Sequence, residues 1–249
     1  MSIRFDRIGM RYADGTVALD DVSFEVPAGQ FCVILGRSGA GKSTLLKCVN
    51  GLATPTSGQV IVDGTAVSPR SLKALRPRIG MVHQSFNLVP RASVATNVVA
   101  GALPAVSTIA ALLGLFPKPL RDRACSLIAD VGLSEDHLNR PASALSGGQQ
   151  QRVGIARALM LDPAFLLADE PVASLDPQTS TEILDLIARE GKRRNAAVLC
   201  SLHQIDLARQ FADRIIALNN GRIVFDGPPD ALALDGLDRI YSTDKALAA

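Results

Sequence analysis

The chain has no tryptophan, only two tyrosines and three histidines in 249 residues. So little aromatic surface leaves no platform for stacking bases. With 26 Lys and Arg against 24 Asp and Glu, the charges balance, and no basic stripe marks a nucleic-acid face. The four cysteines, Cys32, Cys48, Cys125 and Cys200, are scattered and form no CxxC pair. Reduced, partly buried thiols are expected, rather than a metal site or a disulfide framework. A secretion signal is missing too: MSIRFDRIGMRYADG carries charges where an apolar run is required. Charge itself is missing from Ala92 to Pro117.

What is present is enough for a substantial core. The length predicts one or two domains at ~100–200 residues each, and 47% of residues are hydrophobic. Val17 to Val26 reads as a strand closed by the turn Pro27-Ala28-Gly29. Phe31 to Leu35, Gln59 to Val62, Ile79 to His83, Ala164 to Ala168 and Ala197 to Ser201 read as further strands, with Ile215 to Leu218 and Arg222 to Phe225 around Asn219-Asn220-Gly221. Helices are predicted over Lys42 to Asn50, ended by Gly51, and over Leu120 to Val131, Gly147 to Leu161, Thr179 to Arg194 and Gln204 to Phe211. Leu120, Cys125, Leu127, Ile128 and Val131 are candidates for one apolar helix face. Met10, Met81 and Met160 read as packing. Apolar strands alternating with helices imply an α/β fold with a buried, mostly parallel sheet. The helical middle, roughly Gln84 to Leu161, reads as an inserted subdomain.

Three motifs carry chemistry. Gly36-Arg37-Ser38-Gly39-Ala40-Gly41-Lys42-Ser43-Thr44 matches G-x-x-x-x-G-K-[ST] between a predicted strand and a predicted helix. Its glycines let successive N–H groups face a phosphate, Lys42 can reach the outer phosphates, and the Ser43 hydroxyl can ligate Mg²⁺. Phe165-Leu166-Leu167-Ala168-Asp169-Glu170 is an apolar strand ending in two carboxylates. They would stand at the carboxyl edge of the sheet, Asp169 in the Mg²⁺ shell and Glu170 polarising the attacking water. Leu145-Ser146-Gly147-Gly148-Gln149 fits a helix capping box from Ser146 to Gln149. Its bare glycines could offer N–H groups to an anion.

In this order, across nearly the whole chain, these motifs resemble the ATPase subunits of ABC transporters. Leu145 to Gln149 reads LSGGQ, the signature of that family. Gln84 resembles the Q-loop glutamine, a Mg²⁺ or water contact that relays movement to membrane subunits. Ser174-Leu175-Asp176 resembles the D-loop, His203 the switch histidine that contacts the γ-phosphate, and Tyr12 the aromatic that stacks on adenine. The resemblance implies a P-loop RecA-like core with an N-terminal antiparallel β subdomain and an inserted α-helical subdomain. It divides a single domain, 1–249, into 1–83 with 162–235, the helical 84–161, and a tail, 236–249. It implies a head-to-tail pair of identical copies. Each ATP would lie on the phosphate loop of one copy, capped by Ser146, Gly147 and Gly148 of the other.

Finer likeness, in Gln84 to Val89, Thr96 to Leu103, Leu113 to Lys118, Ala168 to Pro177 and Leu202 to Ala208, is to the ATPases of phosphonate-type importers. The cargo would be a phosphonate, phosphate or phosphite. Implied partners are two transmembrane permease subunits and, through them, an extracytoplasmic binding protein, with no nucleic acid. The place would be the cytoplasmic face of the bacterial cell membrane. Alternatives are an amino-acid-type importer, an export or lipoprotein-release system, and a soluble ABC ATPase. A membrane span over 92–117 is rejected, although ~20 apolar residues would suffice. Asn97, Pro104, Ser107 and Thr108 interrupt it, and a crossing would split one nucleotide site across two compartments. The stretch is expected instead to form part of a docking groove for the permease.

Overall fold

A computed structural model describes residues 1–232 and Ile240. Ten strands and eight α-helices are assigned among them. The strands are β1 (Ser2–Arg11), β2 (Val17–Pro27), β3 (Phe31–Leu35), β4 (Ser57–Val62), β5 (Thr65–Ala66), β6 (Ile79–Val82), β7 (Phe165–Asp169), β8 (Ala197–Leu202), β9 (Arg214–Asn219) and β10 (Arg222–Gly227). The helices are α1 (Lys42–Val49), α2 (Leu72–Leu75), α3 (Val94–Val99), α4 (Thr108–Leu112), α5 (Lys118–Asp130), α6 (Gly147–Ala158), α7 (Pro177–Arg193) and α8 (Ile205–Phe211). Most of the expected tail, 236–249, lies outside the described residues.

Two sheets stack. One is antiparallel, in the order β2-β1-β4-β5; the other runs β10-β9-β3-β8-β7-β6 and is parallel from β9 to β6. The central strand β3 is buried at all five residues, as a strand covered on both faces must be. Its alternation feeds two cores. Cys32 and Ile34 pack with Ile3, Phe5, Leu45 and Phe165 between the sheets and α1. Val33 and Leu35 pack with Val98, Leu127, Ile155 and Ile183 of the helices on the other face.

The structure corrects the sequence reading in three places. β1 is a ten-residue strand that the charged N-terminus concealed. Its register shifts between Phe5 and Ile8, and Arg7 sits at φ 49°, so a bulge breaks the alternation that would have announced it. Cys125 is exposed; the buried face of α5 is Ala124, Leu127 and Ile128. The uncharged stretch, unassigned from sequence, contains α3 and α4. No helix among the described residues is long and apolar enough to cross a membrane. Asn97 is buried inside this stretch. It accepts a hydrogen bond from the Val89 N–H at 2.8 Å and donates to the Val89 and Ser93 carbonyls at 3.1 and 3.0 Å. The other cysteines, Cys32, Cys48 and Cys200, are buried and free, and Met160 is buried.

Candidate functional site

The loop between β3 and α1 turns back on itself. Gly41 stands at φ 103°, and a Cβ there would lie 2.3 Å from the Ala18 carbonyl oxygen. Neither the backbone angle nor the space admits another residue. Gly41 is also the N-cap of α1 and supplies no side-chain cap. The first N–H groups of that helix therefore keep their hydrogen-bonding capacity for an anion.

Lys42 follows, only 3% exposed. Its ammonium folds over the loop, donating to the carbonyls of Gly36 at 2.8 Å and Arg37 at 3.0 Å, and it pairs with Glu170 Oε1 at 3.1 Å. A lysine has three donors; the Gly36 and Arg37 carbonyls of the loop and the Glu170 carboxylate past β7 face them. The other Glu170 oxygen, Oε2, lies 3.9 Å from Nδ1 of His203. Glu170 itself sits just past β7 at φ 44°, a left-handed setting that a non-glycine residue keeps only where its surroundings enforce it.

Ser201 enforces part of it. Its hydroxyl accepts from the Glu170 N–H and donates to Asp169 Oδ1, each at 2.9 Å. Asp169 Oδ1 also accepts from the Ser43 hydroxyl at 2.8 Å. Ser201 is fully buried in β8 and was not singled out from sequence. A lone hydroxyl near the end of the apolar run Ala-Val-Leu-Cys-Ser-Leu is the signal that could have found it. Tyr12, 40% exposed, shares a hydrogen bond with the Thr44 hydroxyl at 3.0 Å.

An open cavity of about 390 Å³ lies beside these residues. Tyr12, Ser38, Gly39, Gly41, Lys42, Ser43, Thr44, Gln84 and Glu170 line it, joined by Thr16 just before β2 and by Val17 and Ala18 at its start. Hydroxyl, amide and carboxylate oxygens from Ser43, Gln84 and Asp169 form a hard donor set suited to Mg²⁺. Among the described residues, no cluster of three or more His, Cys, Asp or Glu forms a metal cage.

Ser146, Gly147, Gly148, Gln149 and Asp176 do not line this cavity. They form a second cluster. Ser146 caps α6 with a complete capping box, its hydroxyl accepting from the Gln149 N–H at 3.3 Å and its N–H donating to Gln149 Oε1 at 3.0 Å. Asp176 caps α7, accepting from the Thr179 N–H at 3.0 Å. The Thr179 side chain first and its N–H second hold the Asp176 carboxyl below its ordinary range. The two helix starts touch, since a Cβ on Gly148 would come within 2.7 Å of Thr179 Cγ2.

Between the clusters runs the segment after Gln84. Phe86 and Asn87 are both left-handed, at φ 57° and 52°. Arg157, from the end of α6, donates to the Phe86 carbonyl at 2.9 Å and to that of Asn87 at 2.5 Å. Burial lowers the Arg157 pKa. Next to Gln84, burial first and the Arg157 charge second lower the His83 pKa, which keeps that imidazole neutral near pH 7. Neither Arg157 nor His83 was picked out from sequence.

The family model for ABC transporters matches residues 19–173. Phosphonates import ATP-binding protein PhnC of Hydrogenovibrio crunogenus is 48% identical over 96% of this chain and 88% of its own length. That of Hyphomonas neptunium is 54% identical over 89% and 85% respectively. The dimeric post-hydrolysis structure of the ATP-binding cassette MJ0796, bound to ADP and Pi, matches at TM-score 0.78 and 33% identity, over 91% of this chain and 98% of that one. The cbiO1 structure from Clostridium perfringens, part of the ABC transporter complex cbiONQ, matches at TM-score 0.81 and 30% identity, over 95% and 92%. The stacked sheets, the phosphate loop and the paired carboxylates are therefore those of an ABC ATPase cassette, and the chain belongs to the ABC transporter family.

Proposed function

We propose that the chain is the ATP-hydrolysing subunit of a bacterial phosphonate-class importer, working as a pair of identical copies. One observation carries this reading: Lys42 and Glu170 meet in one cavity, with His203 on the other Glu170 oxygen at 3.9 Å, and the Ser146–Gln149 cap lies outside it. One copy supplies the nucleotide cradle and the base, and the partner supplies the cap. Names of the curated relatives support the cargo class, and the dimeric cassette supports the pairing.

In this reading Tyr12 stacks on adenine, the N–H groups from Gly36 to Thr44 hold the phosphates, and Lys42 exchanges Glu170 for phosphate oxygens. Ser43, with Asp169 and Gln84, would hold Mg²⁺, which would supply neutralisation of the charge that develops on the phosphates. Glu170 takes a proton from water, whose oxygen attacks the γ-phosphorus. The bond from that phosphorus to the bridging oxygen breaks, leaving ADP and phosphate. His203 steadies the γ-phosphate. Across the dimer, Ser146, Gly147 and Gly148 receive the same group, so its loss opens the pair.

The helical portion, 84–161, moves against 1–83 and 162–235 and carries this opening to two permease subunits at the cytoplasmic face of the membrane. A binding protein delivers the cargo outside. A groove of about 320 Å³, rimmed by Arg76, Met81, Ala100, Leu103 and Arg157, supports a docking place for the permease. Dilution tests the reading: ATP turnover per subunit should fall as copies separate, with ATP binding retained. Equal turnover per subunit at every concentration overturns it.

A further inference from the structure

The capping box of α6 does not end at Gln149. The Gln149 side-chain amide has two ends, and Oε1 is committed to the Ser146 N–H. Its Nε2 faces Nε2 of His137 at 3.2 Å. On the far side of the imidazole, Nδ1 lies 2.8 Å from the Ser134 hydroxyl and 3.3 Å from the Ser134 carbonyl. His137 is half-buried in the short turn after α5, away from the nucleotide cavity.

Proton bookkeeping leaves one arrangement. An amide nitrogen only donates, so Nε2 of His137 must accept and carries no proton. A neutral imidazole then bears its proton on Nδ1 and donates to Ser134. Turning the amide over would set its NH₂ against the Ser146 N–H, donor to donor, and the box would open. The Ser146 N–H therefore sets which way Gln149 points, and His137, accepting from the other end of the amide, holds it there. Gln149 in turn fixes the backbone of Ser146 and the direction of the first N–H groups of α6.

We propose that His137 is a positioning residue for ATP hydrolysis: as an obligatory acceptor it locks the Gln149 amide, and so holds the Ser146-Gly147-Gly148 cap in the orientation that receives the partner copy's γ-phosphate. This rests on the shared-site reading given above. A cap that wobbles by tens of degrees loses aligned hydrogen bonds, which weaken steeply below ~120°. Binding of ATP to the phosphate loop of a single copy involves none of these atoms.

The test compares His137→Leu, which removes the acceptor, with His137→Gln, whose side-chain oxygen can replace it. Both are made in the full chain, alone and with Glu170→Gln to trap the ATP-bound pair. With MgATP, His137→Leu should lower kcat and weaken ATP-driven pairing by about threefold to tenfold, the scale of a lost helix cap. ATP affinity of the dilute subunit should not change, and His137→Gln should restore both quantities to within about twofold. A merely structural role would lower the melting temperature of both variants and move ATP affinity as well. Wild-type kcat and pairing in His137→Leu overturn the proposal, as does an equal defect in Leu and Gln. Ser146→Arg distinguishes the two levels. If it abolishes turnover but His137→Leu does not, only the positioning role falls; if Ser146→Arg is fully active, the shared site falls with it.

Discussion

Two helices of this chain begin in glycine-rich turns, and they begin oppositely. α1 starts at Gly41 with no side-chain cap. Its open N–H groups face a cavity lined by its own chain, with Lys42 buried beside them and balanced by Glu170. α6 starts at Ser146 with a complete capping box that leaves only the glycine N–H groups uncommitted. Its surroundings include Gln149, His137 and the start of α7. The first turn leaves its N–H groups open beside residues of its own chain, and the second is held in shape by its capping box. Similar sequence at a helix start thus gives two local structures, one uncapped and one capped.

The comparison predicts unequal damage. The largest effect belongs to the first cluster. Glu170→Gln should slow ATP turnover ~10²–10⁴-fold, the usual worth of a general base, and leave nucleotide binding intact; turnover near wild type would move the base elsewhere. Ser201→Ala comes next. It strips the Glu170 N–H of its acceptor and Asp169 of a donor. Chemical denaturation should show a loss of ~1–3 kcal/mol, the cost of an unpaired buried group, together with slower turnover. In the second cluster, Ser146→Ala should cost ~0.5–2 kcal/mol of stability and weaken pairing, with ATP affinity of the dilute subunit unchanged. A shift in that affinity would mean the two helix starts are not separate. The smallest effect lies outside both. Ile109, Leu112, Leu113 and Leu115 are 73, 82, 66 and 62% exposed, so Leu112→Ser with Leu113→Ser should change stability by less than ~0.5 kcal/mol. ATP turnover of the purified chain should stay at wild type; a fall would tie this apolar tip to the catalytic cluster.

Motifs with fixed spacing were legible because their chemistry is local. Gly36 to Thr44, Asp169-Glu170 and the Ser146–Gln149 box each place their atoms through adjacent backbone. The parallel sheet was legible too, since strands buried on both faces must be apolar throughout. β1 escaped because its bulge at Arg7 breaks the period of two. α3 and α4 escaped because a stretch uniformly uncharged shows no face. Cys125 was assigned to the wrong side of α5 because a sulfur and a methyl look alike to an apolar pattern, and packing chose Ala124.

Sequence alone therefore determined the phosphate loop, the order of the motifs, the alternation of strand and helix and the family they resemble, because each depends on neighbours a few residues apart. Only the tertiary structure decided that Ser201 would bridge Asp169 to Glu170, that Arg157 would pin the carbonyls of Phe86 and Asn87, and that His137 would meet Gln149. Ser201 and Arg157 reach partners 31 and 71 residues away, and His137 crosses from one turn into the next helix. Such partners are set by how sheets and helices pack, and packing depends on the whole core rather than on any local pattern.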